Sequence, residues 1–171
     1  MALVTVMEKE FYTISVYVDK DENLVGIPCG ESDKYGIADI DTVMLLKAPY
    51  TAKQVESYIE KVIDACYTKK HNDDVETSTI ERYTKKKGFV NATADYMLIS
   101  IVKMQTGYSI MPTFYDFEKG PLAIDDDERI IPIGYKEGEL ADIIHDFIEV
   151  YLKANMFYKE IKELEEEKEK K

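Results

Sequence analysis

Two histidines, two cysteines and one run of four acids are the side chains in these 171 residues best suited to chemistry. Nucleophilic catalysis needs a nucleophile beside a positioned base. His71 falls in a polar connecting stretch, and His145 sits between Ile144 and Phe147 on the polar side of a predicted helix, so both read as surface residues. No serine stands in a G-x-S-x-G setting. Cys66 falls on the apolar face of a predicted helix and reads as a buried thiol, while Cys29 closes an apolar stretch before Gly30. Two cysteines do not make a disulfide framework. Asp125, Asp126, Asp127 and Glu128 offer four carboxylates in a row. A calcium loop needs ligands at alternating positions with a glycine and a distal glutamate, so this run reads as a solvated acidic loop. Among 34 acids a catalytic pair stays open, but nothing singles one out. Phosphate loops and dinucleotide fingerprints need closely spaced glycines that this chain lacks. No cofactor and no metal are expected.

What is left is surface. The stretch 31–41 carries Asp33, Tyr35, Asp39 and Asp41, and the stretch 114–128 carries Tyr115, Asp116, Phe117 and Glu118 ahead of Asp125, Asp126, Asp127 and Glu128. Aromatic rings among acids suit a patch that recognises a basic protein. The same rings would equally serve to pin the loops to the body. The net charge is −12, and the 17 residues from Asn155 hold six Glu against five Lys, so the acidity belongs to the folded body. Such a field repels nucleic acid and attracts basic partners, although acidity also serves solubility alone. The one basic cluster, Lys85 to Lys87, matches the negative end of a helix dipole.

The elements that must carry these loops form a single α/β (α+β) domain, a mostly antiparallel sheet with long helices packed on it. At 45% apolar and 33% charged residues the chain reads as a soluble globular protein. No apolar run approaches the roughly 18 residues of a membrane helix, and the N-terminus lacks the positive region of a signal peptide, so the cytoplasm is the expected address.

One pattern occurs twice, over 11–67 and 96–151, as three strands followed by a helix at an offset near 85 residues. Ile14 matches Ile99, Ser15 matches Ser100, and Val55, Ile59, Val62 and Ile63 match Leu140, Ile144, Phe147 and Ile148. In each copy a strand is expected to stop at a proline, Pro28 or Pro112, and a polar loop to follow. Thr42 to Leu46 reads as a strand buried on both faces. Thr51 with Gln54, and Ser78 with Glu81, have capping-box spacing. The second long helix, from Gly138, has no comparable cap. Residues 68–95 read as a connector with a short helix from Thr77 to Lys87 stopped by Gly88. Leu3 to Met7 reads as a short strand. The tail 158–171 reads as a charged helix, with only Ile161 and Leu164 apolar, that frays or projects.

The stretches EFYTISVYV, VGIPCG, the apolar strand before Tyr50-Thr51-Ala52, YSIMPT, IIPI and ELADIIHDFIEVY together resemble the immunity proteins of bacterial contact-dependent growth inhibition systems. The likeness covers nearly the whole chain up to Tyr151. TKKHNDDVETS departs from the Gly- and Pro-rich stretch with His expected there, and the charged tail is extra. The resemblance implies a protein without enzymatic activity that binds the C-terminal toxin domain delivered by a neighbouring cell and neutralises it in the cytoplasm. Such toxins are often nucleases with basic clefts, a match in charge for this chain. The acidic charge argues against a nucleic-acid partner, and the lack of a long apolar run against a membrane one. The competing readings are a small carboxylate- or metal-dependent enzyme and an assembly protein whose tail pairs with another helix.

Overall fold

The computed structural model describes residues 9–171; the expected strand from Leu3 to Met7 lies outside the described residues. Eight strands form one curled antiparallel sheet: β1 Tyr12–Asp19, β2 Leu24–Ser32, β3 Gly36–Asp39, β4 Met44–Leu46, β5 Tyr96–Lys103, β6 Gly107–Asp116, β7 Gly120–Ala123 and β8 Arg129–Pro132. The order across the sheet is β3-β2-β1-β5-β6-β7, with β4 also on β2 and β8 also on β6. The helices are α1 Ala52–Asp64, α2 Thr79–Thr84, α3 Phe89–Ala92, α4 Glu139–Phe147 and α5 Lys153–Glu169. A single π-turn, Ile148–Leu152, joins α4 to α5 without a break.

The two β-hairpins have the same register. Ile14 faces Pro28 and Ile99 faces Pro112. At the centre β1 lies against β5, and Ser15 faces Ser100, its counterpart at the offset of 85. Outer strands attach alike: β4 and β3 share the outer edge of β2, and β8 and β7 share that of β6.

Neither proline ends its strand; β2 continues to Ser32 and β6 to Asp116. The carbonyl of Pro28 points outward and accepts from Ile40 N–H at 3.0 Å, and that of Pro112 accepts from Ile124 N–H at 2.9 Å. Each missing N–H therefore also faces outward, into the gap between two outer strands, where it costs no ladder bond. The segments expected as polar loops are accordingly hairpins, closed by β3 and β7. β4 is also shorter and more open than expected. It lies on the edge of the sheet, and Leu45 stands exposed.

Side chains alternate across the sheet. Ile14, Val16, Val18, Ile99 and Ile101 point to one face, where α1 and α4 lie side by side. Both capping boxes exist. Thr51 Oγ1 accepts from Gln54 N–H at 3.2 Å and Gln54 Oε1 from Thr51 N–H at 2.8 Å. Ser78 and Glu81 do the same for α2. That helix is shorter than expected and ends at Lys85, which adopts a left-handed conformation. Gly88, at φ 89°, starts α3 instead of stopping α2. On the second face, Ile80 of α2 and Ala92 of α3 cover Tyr17, Val25 and Ile27. The face of β1 that carries Thr13, Ser15 and Tyr17 is thus capped at its Tyr17 end and open at Thr13 and Ser15. Among the described residues no helix is long and apolar enough to cross a membrane.

Candidate functional site

The two acidic-aromatic stretches lie at opposite edges of the sheet, with β2, β1, β5 and β6 between them. They form two corners and not one patch.

The first corner is the β2–β3 hairpin. Its tip is held by the connector through Ser32, whose Oγ donates to Asp73 and accepts from Tyr35 N–H at 3.0 Å. Asp73 also accepts from Asp33 N–H at 3.0 Å. These donors, the Ser32 hydroxyl foremost, hold the Asp73 carboxyl below the usual range. His71 sits between the two segments. Its Nδ1 contacts the Asp39 carbonyl and lies 3.4 Å from that residue's Oδ1, and its Nε2 lies 3.8 Å from Asp73. With a side chain only 10% exposed, His71 is a docking residue and not the surface residue expected. Asp39 Oδ2 accepts from Thr79 N–H at 2.7 Å, so it anchors the start of α2. Asp33 lies 3.9 Å from Lys70, and Asp41 lies 3.5 Å from Arg82. Tyr35, 62% exposed, stands edge-on to His71, with Ile37 exposed beside it. Next to this hairpin the uncovered sheet face opens into a shallow groove of about 550 Å³, lined by Phe11, Thr13, Ser15, Ile27, Ile37 and Asp39 among others.

The second corner, around β7, is more occupied by its own scaffold. Tyr115 is buried, which corrects its placement at the surface. Its hydroxyl donates to the Val90 carbonyl at 2.8 Å and its N–H to Asn155 Oδ1 at 2.9 Å. Asp116 accepts from the N–H groups of Glu118 and Lys119, both at 2.9 Å, and closes the turn. Asp127 pairs with Arg129 at 2.9 Å and accepts from the Tyr151 hydroxyl, and Glu128 accepts from Ser109. Phe117, Glu118, Asp125 and Asp126 face solvent. Phe117 and Phe114 pack on Tyr158 of α5 at ring distances of 5.4 and 5.5 Å. Among the described residues no group of three or more His, Cys, Asp or Glu side chains is arranged to hold a metal ion.

The cysteines are buried and close. Thr13 N–H donates to Cys29 Sγ at 3.4 Å, and Cys66 S–H reaches Thr13 O at 3.6 Å. The neighbouring Cys66 thiol holds the Cys29 thiol below its usual range, while the nearness of Cys29 and burial push the Cys66 thiol up. Cys29 lies within β2 and does not end it.

Sequence reasoning missed Ser32, His71, Asp73 and Ile37. Ser32 and Asp73 are 41 residues apart, and no periodicity relates a hairpin tip to a connector. Ile37 was visible as one of two isoleucines in the stretch 31–41, of which Ile40 is buried and Ile37 exposed.

No protein-family model matches the chain, and no curated protein matches it. Solved structures do. A protein of unknown function from Neisseria meningitidis superposes with a TM-score of 0.64 at 13% identity, over 85% of this chain and 99% of that one. A chain of the CdiA-CT/CdiI toxin and immunity complex from Yersinia pseudotuberculosis superposes with a TM-score of 0.58 at 12% identity, over 80% of this chain and 95% of that one. At these identities the likeness is one of fold.

Proposed function

We propose that this chain is an immunity protein: a non-catalytic binder that neutralises one cognate toxin domain, with the β2–β3 corner as its main contact. The observation that carries the reading is that corner's construction. An exposed tyrosine and isoleucine stand among Asp33, Asp39 and Asp41, on a hairpin fixed from behind by Ser32, His71 and Asp73. A rigid aromatic anchor inside a rim of mixed charge, in which Lys34 lies over the Tyr35 ring and Lys70 and Arg82 pair with Asp33 and Asp41, suits a protein surface. Fold likeness to a component of a toxin and immunity complex supports the same reading. A nuclease toxin, which needs a basic cleft to hold phosphates, has the complementary charge. The exposed residues of the second corner, Phe117, Glu118, Asp125 and Asp126, extend the acidic surface as a secondary contact. Such a toxin acts in the cytoplasm, so that is where the chain would work.

The test is calorimetric titration of the full chain with the toxin domain encoded beside it, at about 0.05 M and 0.5 M salt. Tight binding that weakens with salt is the expected result. Tyr35→Ala should weaken it by about thirtyfold or more, as truncating a central aromatic anchor does. Absence of binding to that domain overturns the immunity reading. Binding that ignores Tyr35→Ala and Asp33→Lys keeps the function and moves the contact elsewhere.

A further inference from the structure

Cys29 and Cys66 take no part in the candidate contact, yet the fold sets their two thiols side by side. The ladder between β1 and β2 runs as far as Ile14 with Pro28. One residue further along β2, the Cys29 carbonyl accepts from Tyr67 N–H at 2.8 Å, and the Glu31 carbonyl from His71 N–H at 2.9 Å. The chain leaving α1 thus takes over from β1 as the inner neighbour of β2, and Cys66 enters the gap where the two strands part. Thr13, next along β1, meets sulfur there in place of a backbone partner. In an extended strand one residue's N–H and C=O point the same way. The Thr13 N–H donates to Cys29 Sγ at 3.4 Å and its carbonyl accepts from the Cys66 thiol at 3.6 Å, so both sulfurs lie against one residue on one edge of β1. Backbone segments joined by a hydrogen bond lie roughly 5 Å apart, within the Cα separation of about 4.4–6.8 Å that a disulfide spans.

The two thiols differ in access. Cys29 lines the shallow groove on the uncovered sheet face, together with Thr13, Pro28 and Ile37. Cys66 belongs to the core under α1, with Val62 and Ile63. A small reagent entering the groove therefore meets Cys29 first and finds Cys66 behind it. The neighbouring Cys66 thiol foremost, and the Thr13 N–H with it, hold the Cys29 thiol below its usual range, toward the thiolate that attacks a disulfide.

We propose that Cys29 and Cys66 form a reversible thiol–disulfide site whose substrate is a small disulfide entering by the groove. The Cys29 thiolate attacks one sulfur of that disulfide. Its S–S bond breaks, one small thiolate leaves and takes up a proton, and a mixed disulfide stays on Cys29. Cys66 then gives up its proton and attacks the Cys29 sulfur, expelling the second small thiol. Both cysteines are oxidised, and the two electrons they lose reduce the small disulfide to two thiols. The new bond ties β2 to the root of the connector, whose His71 and Asp73 hold the β2–β3 corner from behind.

The test exposes the reduced, folded full chain to oxidised β-mercaptoethanol at neutral pH. An acid quench follows, remaining thiols are blocked with N-ethylmaleimide in denaturant, and the mass of the intact chain and of its tryptic peptides is read. The expected product has lost two hydrogens, carries neither adduct, and yields the Cys29 and Cys66 peptides joined; dithiothreitol returns both thiols. Cys66→Ser should stop at a stable mercaptoethanol adduct on Cys29. In Cys29→Ser, Cys66 should react at least about tenfold more slowly than Cys29 does in Cys66→Ser. The joined peptides are read on the parent chain, so that result stands even where a serine variant fails to fold. Thiols that react only after urea unfolds the chain overturn the proposal. So do adducts on both cysteines without joined peptides, and a disulfide between two chains. Equal rates for Cys66 and Cys29 in the two folded variants overturn entry by the groove. None of these outcomes depends on the immunity reading.

Discussion

Glu56 decides where the second long helix begins. It lies on α1, almost fully buried, and its two carboxylate oxygens accept from Gly138 N–H at 2.8 Å and Ala141 N–H at 3.1 Å. It thus supplies from 82 residues away the cap that the local sequence of α4 lacks. Glu56→Ala should leave those donors unsatisfied in a buried setting and cost about 2–3 kcal/mol, since bonds to a charged acceptor are the stronger kind. Urea unfolding of the two proteins measures it, and an unchanged midpoint would show that α4 is capped otherwise. Lys159 is the opposite case, a buried cation with a ring beneath it but no hydrogen-bond acceptor among the described residues. Burial pushes its pKa down to about 8, against roughly 10.4 for an unfolded lysine. Between those values the unfolded chain binds the extra proton, so this group makes the protein more stable as pH rises from about 8 to 10. Lys159→Met removes that dependence and should be the more stable protein at pH 7. The difference in melting temperature between the two proteins should shrink steadily from pH 7.5 to pH 9.5, and a constant difference would sink the argument. Neither role was legible in the sequence. A glutamate beside a helix's apolar face and a lysine in a charged tail both read as solvated until the partner element is in place.

At the scale of elements, strand and helix order were largely legible, because each rests on a local period: alternation in β1, and the repeat of Val55, Ile59, Val62 and Ile63 along α1. Strand ends were not. Whether a proline stops a strand depends on which side of it is paired, and that is a property of the neighbours β3, β4, β7 and β8. The distance between α1 and the sheet is set by a similar nonlocal requirement at Gly26 of β2. A Cβ there would meet Tyr58 Oη at 2.5 Å and Val62 Cγ2 at 2.8 Å. Tyr58 cannot easily move aside, because its hydroxyl donates to the Met44 carbonyl of β4 at 2.8 Å. Gly26→Ala should therefore lift α1 from the sheet or break that bond, at a cost of about 1–3 kcal/mol. Chemical denaturation reads the loss. If Gly26→Ala proves as stable as the parent, the contact between α1 and β2 is looser than these distances state. The candidate site was legible in part. Asp33, Tyr35 and Asp41 were visible as an acidic-aromatic cluster, whereas the Ser32–Asp73–His71 support behind them joins segments that only the fold brings together.

Across the whole molecule a net charge of −12 acts on every element at once. Acids outnumber bases so far that self-repulsion in the free chain outweighs pairing, and the exposed ion pairs it does make, such as Lys86 with Asp95 at 2.7 Å, are individually weak. Screening should therefore stabilise the free protein: its melting temperature should rise between about 0.02 M and 0.5 M sodium chloride, as the Debye length shortens from roughly 20 Å to a few ångströms. The same field, acting on the basic toxin domain proposed as the partner, should accelerate encounter at low salt and lose its reach as salt is added. Over this range the association rate constant should fall by at least tenfold while the dissociation rate changes far less. The two responses have opposite signs and one cause, which makes them a joint test. If salt strengthens the fold and slows association together, the acidity of the body serves recognition. If salt strengthens the fold and leaves association untouched, the charge is a property of the free protein alone, and the β2–β3 corner must bind through Tyr35 and Ile37 without electrostatic steering.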